Sequence, residues 1–145
     1  FREMRIRANS PTNFIAYILK LFFFSTVSPI VIIPAGWFFS KEILSLCYGA
    51  SFIDASPLFN LLLISFLFMI PNLVLTQATL AINRENFYAK ITCVAALANI
   101  GLNFYLIPSM GARGAAIGTI VTEVLLMILI GAGICIWRRK LDLKQ

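Results

Sequence analysis

The sequence predicts an all-α, polytopic membrane protein with four transmembrane helices. Of its 145 residues, 60% are hydrophobic and only 12% are charged, and the mean hydropathy is +0.90. A water-soluble domain of this size needs more polar side chains to cover its surface, whereas lipid solvates an apolar exterior. The apolar residues also form four long runs, each with about the 20 residues that a helix needs to cross the hydrocarbon core.

The four predicted spans are joined by two short connections and one longer one. The predicted boundaries are a cytoplasmic segment at 1–13, spans at about 14–40, 55–83, 88–108 and 112–137, an outer loop at 41–54 and a cytoplasmic tail at 138–145. Apolar residues in the outer loop predict a short helix at the membrane interface that ends at Gly49. Pro29, Pro34 and Pro71 fall inside spans, where membrane helices tolerate proline because neighbouring groups satisfy the freed carbonyls.

Charge in the connections predicts the orientation of the spans. Nine basic residues fall on one predicted side of the membrane: Arg2, Arg5, Arg7, Arg84, Lys90, Arg138, Arg139, Lys140 and Lys144. The other side has only Lys41 and Arg113. Because basic residues collect on the cytoplasmic side, both termini are predicted to be cytoplasmic. The chain begins with Phe1 rather than Met, so we expect it to be a fragment whose N-terminal portion is missing.

Composition also excludes several classes of site. The net charge of +6 is not grouped into a basic patch with aromatic platforms, so no nucleic-acid partner is predicted. The chain has no histidine and only three widely spaced cysteines, so no metal and no cofactor are expected. Cys93 and Cys135 lie in apolar runs and are predicted to be small buried hydrophobic residues. No catalytic residues are predicted, because the outer connections lack converging acid and base groups.

Polar side chains follow helical spacing inside the second and third spans. The two sets are Ser65, Asn72, Thr76, Thr79 and Asn83, and then Thr92, Asn99 and Asn103. Such faces contact protein or water, since an amide exposed to hydrocarbon is costly. For serine and threonine we favour hydrogen bonds between helices. For Asn72, Gln77, Asn99 and Asn103, a hydrated cavity that binds substrate is an equal alternative.

Two charged residues inside spans need a partner or a function. Glu123 is predicted to be either a proton or cation site or a hydrogen-bond acceptor for a residue outside this chain, with Thr119 and Thr122 as its nearest local support. Lys20 lies about 9 Å along its helix from Phe14, at a 1.5 Å rise per residue. Its flexible stem can reach the cytoplasmic headgroups, and the alternative is that it projects into a cavity and meets an anionic phosphate group.

Small residues open the fourth span and predict close helix packing. Gly114 and Gly118 form a GxxxG pair, and alanines lie beside them. Helix backbones approach closely where side chains are this small. We therefore interpret this face as a packing surface and not as a binding site.

Two stretches resemble a known family. The segment from Asn99 to Glu123, NIGLNFYLIPSMGARGAAIGTIVTE, is similar to the N-x-x-L-N-x-x-L-I-P-x-x-G-x-x-G-A-A-I-x-T-x-x-[ST]-E pattern of polysaccharide-export flippases in the multidrug/oligosaccharidyl-lipid/polysaccharide superfamily. The segment from Leu46 to Ala55, LCYGASFIDA, resembles the L-x-Y-G-x-x-F-x-x-A loop of the same family. Gly101 and Gly118 depart from the larger residues common in other members.

The resemblance implies a fold and a function. Its members have about twelve or fourteen helices in two bundles, and this chain would supply part of the second bundle. They move undecaprenyl-pyrophosphate-linked oligosaccharide across the bacterial inner (plasma) membrane by alternating access. That implies a lipid-linked oligosaccharide substrate, with Lys20, Asn72 and Asn103 as cavity candidates and Glu123 as an ion-coupling candidate. The alternatives are a multidrug or cation antiporter of the same superfamily, a membrane enzyme, and a four-helix membrane subunit that transports nothing.

Overall fold

The computed structural model describes residues 2–7 and 11–142, and all the regular structure in these ranges is helical. Residues 1, 8–10 and 143–145, which belong to the predicted cytoplasmic segment and tail, lie outside the described residues. Within residues 2–7 and 11–142, four helices are long and apolar enough to cross a membrane. The prediction of an all-α protein with four transmembrane helices is therefore confirmed.

Six α-helices and one 3-10 helix follow one another within the described residues. They are α1 (Arg2–Arg7), α2 (Pro11–Phe38), α3 (Ser40–Tyr48), the 3-10 helix Ala50–Ala55, α4 (Ser56–Ala81), α5 (Glu85–Met110) and α6 (Ala112–Asp142). The long helices α2, α4, α5 and α6 correspond in order to the four predicted spans. Helix α5 continues two residues past Pro108, because proline in the last turn frees only a carbonyl near the helix end.

Glycine and asparagine end the helices where the chain turns back. The predicted short helix in the outer connection is confirmed as α3, and Gly49 after it has φ 93°, a left-handed conformation that favours glycine. Gly111 has φ 57° between α5 and α6, and Asn83 has φ 55° between α4 and α5. Asparagine tolerates this region better than other residues with a side chain. These turns return each long helix against an earlier one.

Helix α6 lies at the centre of the packing. It contacts both α4 and α5, and α2 packs against α4. Near one end of the bundle, Phe14 and Ile18 of α2 pack with Leu75 of α4 and Ile130 of α6. The ring of Trp137 meets that of Phe14 edge-on, with 5.8 Å between centroids. This arrangement brings the polar residues of α4, α5 and α6 together.

Much of the exterior is apolar. The side chain of Phe104 is 86% exposed and that of Val31 is 70% exposed. The prediction that Cys93 and Cys135 are buried is wrong, because the side chains of both are exposed. An apolar run has the same composition on its lipid-facing and protein-facing sides, so composition alone does not separate the two.

Candidate functional site: a polar network between α4, α5 and α6

A buried amide on α4 holds the carboxylate of α6. The Nδ2 atom of Asn72 donates hydrogen bonds to Oε2 of Glu123 at 2.7 Å and to the backbone carbonyl of Glu123 at 2.8 Å. Asn72 is only 5% exposed, and Glu123 is half-buried. Hydrogen bonds to a charged acceptor are among the stronger ones in proteins. The pair therefore joins α4 to α6.

A second set of hydrogen bonds joins α5 to the neighbouring residue of α6. Nδ2 of Asn99 donates to Oγ1 of Thr122 at 2.8 Å, and Nδ2 of Asn103 donates to Oδ1 of Asn99 at 2.9 Å. Thr122 in turn donates its hydroxyl proton to the carbonyl of Gly118 in its own helix. Since Thr122 and Glu123 are consecutive, α6 presents one polar residue to α5 and the next to α4.

The network lies deep within the spans. At a 1.5 Å rise per residue, Asn72, Asn99 and Glu123 each lie at least about 14 Å from either end of their helices. A hydrocarbon core is about 30 Å thick, so these groups are near its middle. Polar groups at this depth are costly unless protein or water satisfies them.

An open groove runs between α5 and α6 beside this network. Its volume is about 330 Å³, and it is lined by Thr92, Ala95, Ala96, Asn99, Thr119, Thr122, Glu123 and Leu126. Glu123 is the only one of these residues with an ionisable side chain. The groove thus combines hydroxyl, amide and carboxyl groups at mid-depth.

Comparison with known proteins finds two distant archaeal relatives. The chain is 30% identical over 103 residues to an uncharacterized membrane protein of Methanocaldococcus jannaschii, which covers 70% of this chain and 20% of that protein. It is 30% identical over 97 residues to the probable low-salt glycan biosynthesis flippase Agl15 of Haloferax volcanii, which covers 65% of this chain and 21% of the flippase. This chain is similar to a membrane flippase. It spans about a fifth of the length of these two relatives.

Two other comparisons return nothing. No family model matches the chain, and no solved structure matches it. The similarity to the two archaeal membrane proteins is consistent with a multi-pass membrane protein and, at this distance, with a flippase-like family.

Three of the residues predicted to line a cavity belong to the network, and two do not. Asn72, Asn99 and Asn103 come together around α6, with Glu123 between them. Gln77 is half-buried on α4 and makes no side-chain hydrogen bond to the part of the chain that the structure describes. Lys20 is exposed on α2, which packs against α4 and not against α5. The substrate-binding roles of all five remain predictions.

The hydrogen-bond donor to Glu123 was not predicted from the sequence. The expected acceptor role was for a group outside this chain, with Thr119 and Thr122 as local support. Instead the donor is Asn72, 51 positions away, while both threonines donate to backbone carbonyls of α6. Only the packing of α4 against α6 brings Asn72 and Glu123 within hydrogen-bond distance.

The hydroxyl groups behave differently from the amides. The prediction of hydrogen bonds between helices is wrong for the hydroxyl protons of Ser65, Thr79 and Thr92. Each donates to a carbonyl three or four positions earlier in its own helix. A short hydroxyl side chain reaches the preceding turn more easily than it reaches a neighbouring helix.

Proposed function

We propose that this chain forms four helices of a transporter that flips a lipid-linked oligosaccharide between the leaflets of a membrane by alternating access. The observation that carries the proposal is the open groove at mid-depth, lined by hydroxyl groups, one amide and one carboxyl group. Polar groups exposed at this depth need water or a polar cargo. The distant similarity to a probable glycan biosynthesis flippase supports a glycan as that cargo.

A flippase needs a polar surface and an apolar surface side by side. A glycan and a pyrophosphate need a hydrated path, while the lipid tail stays in the bilayer. Here the polar groove between α5 and α6 lies close to exposed apolar side chains such as Leu97 and Ile100. We propose an undecaprenyl-pyrophosphate carrier in the inner membrane of a bacterium on the resemblance alone, because the two relatives are archaeal proteins.

Further helices would complete the cleft. The chain spans about a fifth of its relatives, so the groove would be one wall of a larger path. We propose that the cargo moves between this wall and a second bundle, and that Asn72, Gln77, Asn99 and Asn103 line or support the path. In the same proposal Lys20 meets the anionic phosphate of the cargo, and Glu123 couples transport to an ion.

The proposed orientation, with both termini cytoplasmic, predicts opposite accessibility for two connections. Cys47 lies exposed at the end of α3 in the outer connection. In a variant with Cys93 and Cys135 changed to serine, a membrane-impermeant maleimide added to intact cells should label Cys47. A second variant without native cysteines and with Arg84→Cys should be labelled only after the membrane is permeabilised. Labelling of both positions from the same side would reject this topology.

Glycan export in cells tests the function itself. Cells that lack the intact protein should accumulate lipid-linked oligosaccharide on the cytoplasmic side and lose surface glycan, and the wild-type gene should restore it. We expect Lys20→Ala to reduce restored surface glycan at least about tenfold, because a charge-assisted contact between lysine and a phosphate is worth more than about 1.4 kcal/mol. Quantitative glycan staining with immunoblots of membrane fractions measures both export and insertion.

The control for this experiment is Lys41→Ala. Lys41 is also an exposed lysine, but it lies in α3 outside the long helices. Its removal should leave export unchanged. If Lys20→Ala inserts normally and exports as well as wild type, Lys20 has no role in the cavity. If loss of the whole protein leaves surface glycan intact, the flippase assignment fails.

A further inference from the structure

We propose that Asn72 is a positioning residue that holds Oε2 of Glu123 and leaves Oε1 to take up a proton from the groove between α5 and α6. The inference rests on the proposed coupling role of Glu123 and deepens it. The coupling ion is a proton, it binds to Oε1, and it arrives from the groove between α5 and α6.

The orientation of the Asn72 amide follows from the backbone of α6. Its Nδ2 atom lies 2.8 Å from the carbonyl oxygen of Glu123 and 2.7 Å from Oε2. A backbone carbonyl only accepts hydrogen bonds, so the nitrogen of the amide must face it. A flipped amide would place its oxygen against two other oxygens. Oε2 therefore accepts a hydrogen bond whether the carboxyl group is ionised or protonated, and the other oxygen, which accepts none from the described residues, is the more available one for a proton.

Oε1 is the oxygen that remains accessible. It accepts no hydrogen bond from the described residues, and it is not among the buried polar atoms that lack a partner. The Glu123 side chain lines the groove between α5 and α6, while Asn72 approaches from α4. With Oε2 directed to α4, the groove is the side from which Oε1 can be reached.

The hydrogen bonds of the groove favour a proton over a metal cation. A metal ion in a protein takes several oxygen ligands at once. Here Oδ1 of Asn99 already accepts from Asn103, and Oγ1 of Thr122 already accepts from Asn99. Oδ1 of Asn72 and Oδ1 of Asn103 accept no hydrogen bond, but both are buried and neither residue lines the groove. The two hydroxyls of α6 are also directed to backbone carbonyls. A proton needs only one free oxygen, and Glu123 offers it.

No second charge competes at this position within the described residues. The groups that face Glu123 are Asn72 from α4 and Thr92 and Asn99 from α5, and all three are neutral. The ion pair of Arg7 with Glu3 is in α1, away from this position. Proton uptake at Glu123 would therefore change the charge of the groove from negative to neutral.

Labelling with dicyclohexylcarbodiimide tests the direction of access. A nitrogen of this apolar carbodiimide takes the proton of a carboxylic acid, and the carboxyl oxygen bonds to the central carbon of the reagent. The whole reagent is added, so the mass of the peptide rises by the mass of the reagent. In the intact protein in membrane vesicles we expect mass spectrometry to find the adduct on Glu123 at low pH, and no adduct at this position in Glu123→Gln. Ala96→Trp, which fills the groove, should slow labelling at least fivefold. Val94→Trp, at an exposed position outside the groove, should not.

Removal of the amide donor tests the positioning role. In Asn72→Leu the ionised carboxylate loses a charge-assisted hydrogen bond, so we expect labelling at neutral pH to be about tenfold faster than in wild type. Ser65→Ala, which removes another buried polar group of α4, should label at the wild-type rate. A purely structural role for Asn72 would not accelerate the reaction at one carboxyl group.

Three results would overturn the proposal. Labelling that is insensitive to Ala96→Trp would show that access is not through the groove. An Asn72→Leu protein that labels no faster than wild type would remove the positioning role. Protection by sodium chloride, but not by choline chloride, would identify a metal cation in place of the proton. Labelling does not require transport, so the two functions can be tested separately. If the adduct depends on the groove but Glu123→Gln transports normally, Glu123 has no coupling function, while the access to Oε1 from the groove still holds.

Discussion

Glu123→Gln is expected to abolish the pH dependence of transport and to lower its rate at least about tenfold. The amide oxygen of glutamine can still accept the hydrogen bond from Asn72, and the backbone carbonyl at this position keeps the other one. The fold is therefore retained. Glutamine cannot take up or release a proton, so a coupled step loses its ion. Flipping of a fluorescent lipid-linked oligosaccharide in proteoliposomes, with and without a pH gradient, measures the effect.

A control separates this effect from a general loss of negative charge. Glu42→Gln also removes one carboxylate, but Glu42 is exposed in α3, far along the chain from the network. It should leave the rate and its pH dependence unchanged. A Glu123→Gln protein whose transport keeps the pH and sodium dependence of wild type would exclude Glu123 as a coupling site.

Gly114→Ala is expected to destabilise the contact between α5 and α6 by about 2 kcal/mol, within the range for overpacking. A Cβ atom at this position would lie 2.5 Å from the carbonyl oxygen of Leu106 and 3.1 Å from the nitrogen of Ile107. Both are backbone atoms of α5, so the clash is relieved only if the helices separate. The free energy of unfolding, measured by denaturant titration in mixed micelles, should fall by this amount.

The matched control is Gly131→Ala in the same helix. A Cβ atom there meets nothing within 4 Å, and alanine favours a helix over glycine by about 1 kcal/mol. This variant should be as stable as wild type or more stable. Equal stability of Gly114→Ala and Gly131→Ala would contradict the close approach of α5 and α6 at Gly114.

The interpretation of the GxxxG pair as a packing surface agrees with this geometry. A Cβ atom at Gly118 would lie 2.7 Å from Oδ1 of Asn103, so this glycine also gives a side chain of α5 room beside α6. Spacing alone predicted that the face was close-packed. It did not predict that α5 is the partner, because a small-residue stripe fits any helix that approaches it.

Polar residues inside the spans were predicted more accurately as a class than as pairs. Their positions on α4 and α5 indicated that these faces meet protein or water, and three of the asparagines are in the network. The partner of each depends on neighbouring helices and on the reach of its side chain. Asparagine spans the gap between helices, whereas Ser65 and Thr79 turn back to their own backbone.

The sequence by itself determined the elements of this protein. Long apolar runs specify spanning helices because an unpaired backbone group in lipid is costly, and Gly49, Asn83 and Gly111 mark turns because they adopt positive φ. Tertiary structure alone decided that α6 lies between α4 and α5, which apolar faces are exposed, and that Asn72 bonds to Glu123. Local chemistry acts over a few residues along one helix. The network instead joins residues 51 positions apart, whose proximity depends on the packing of whole helices.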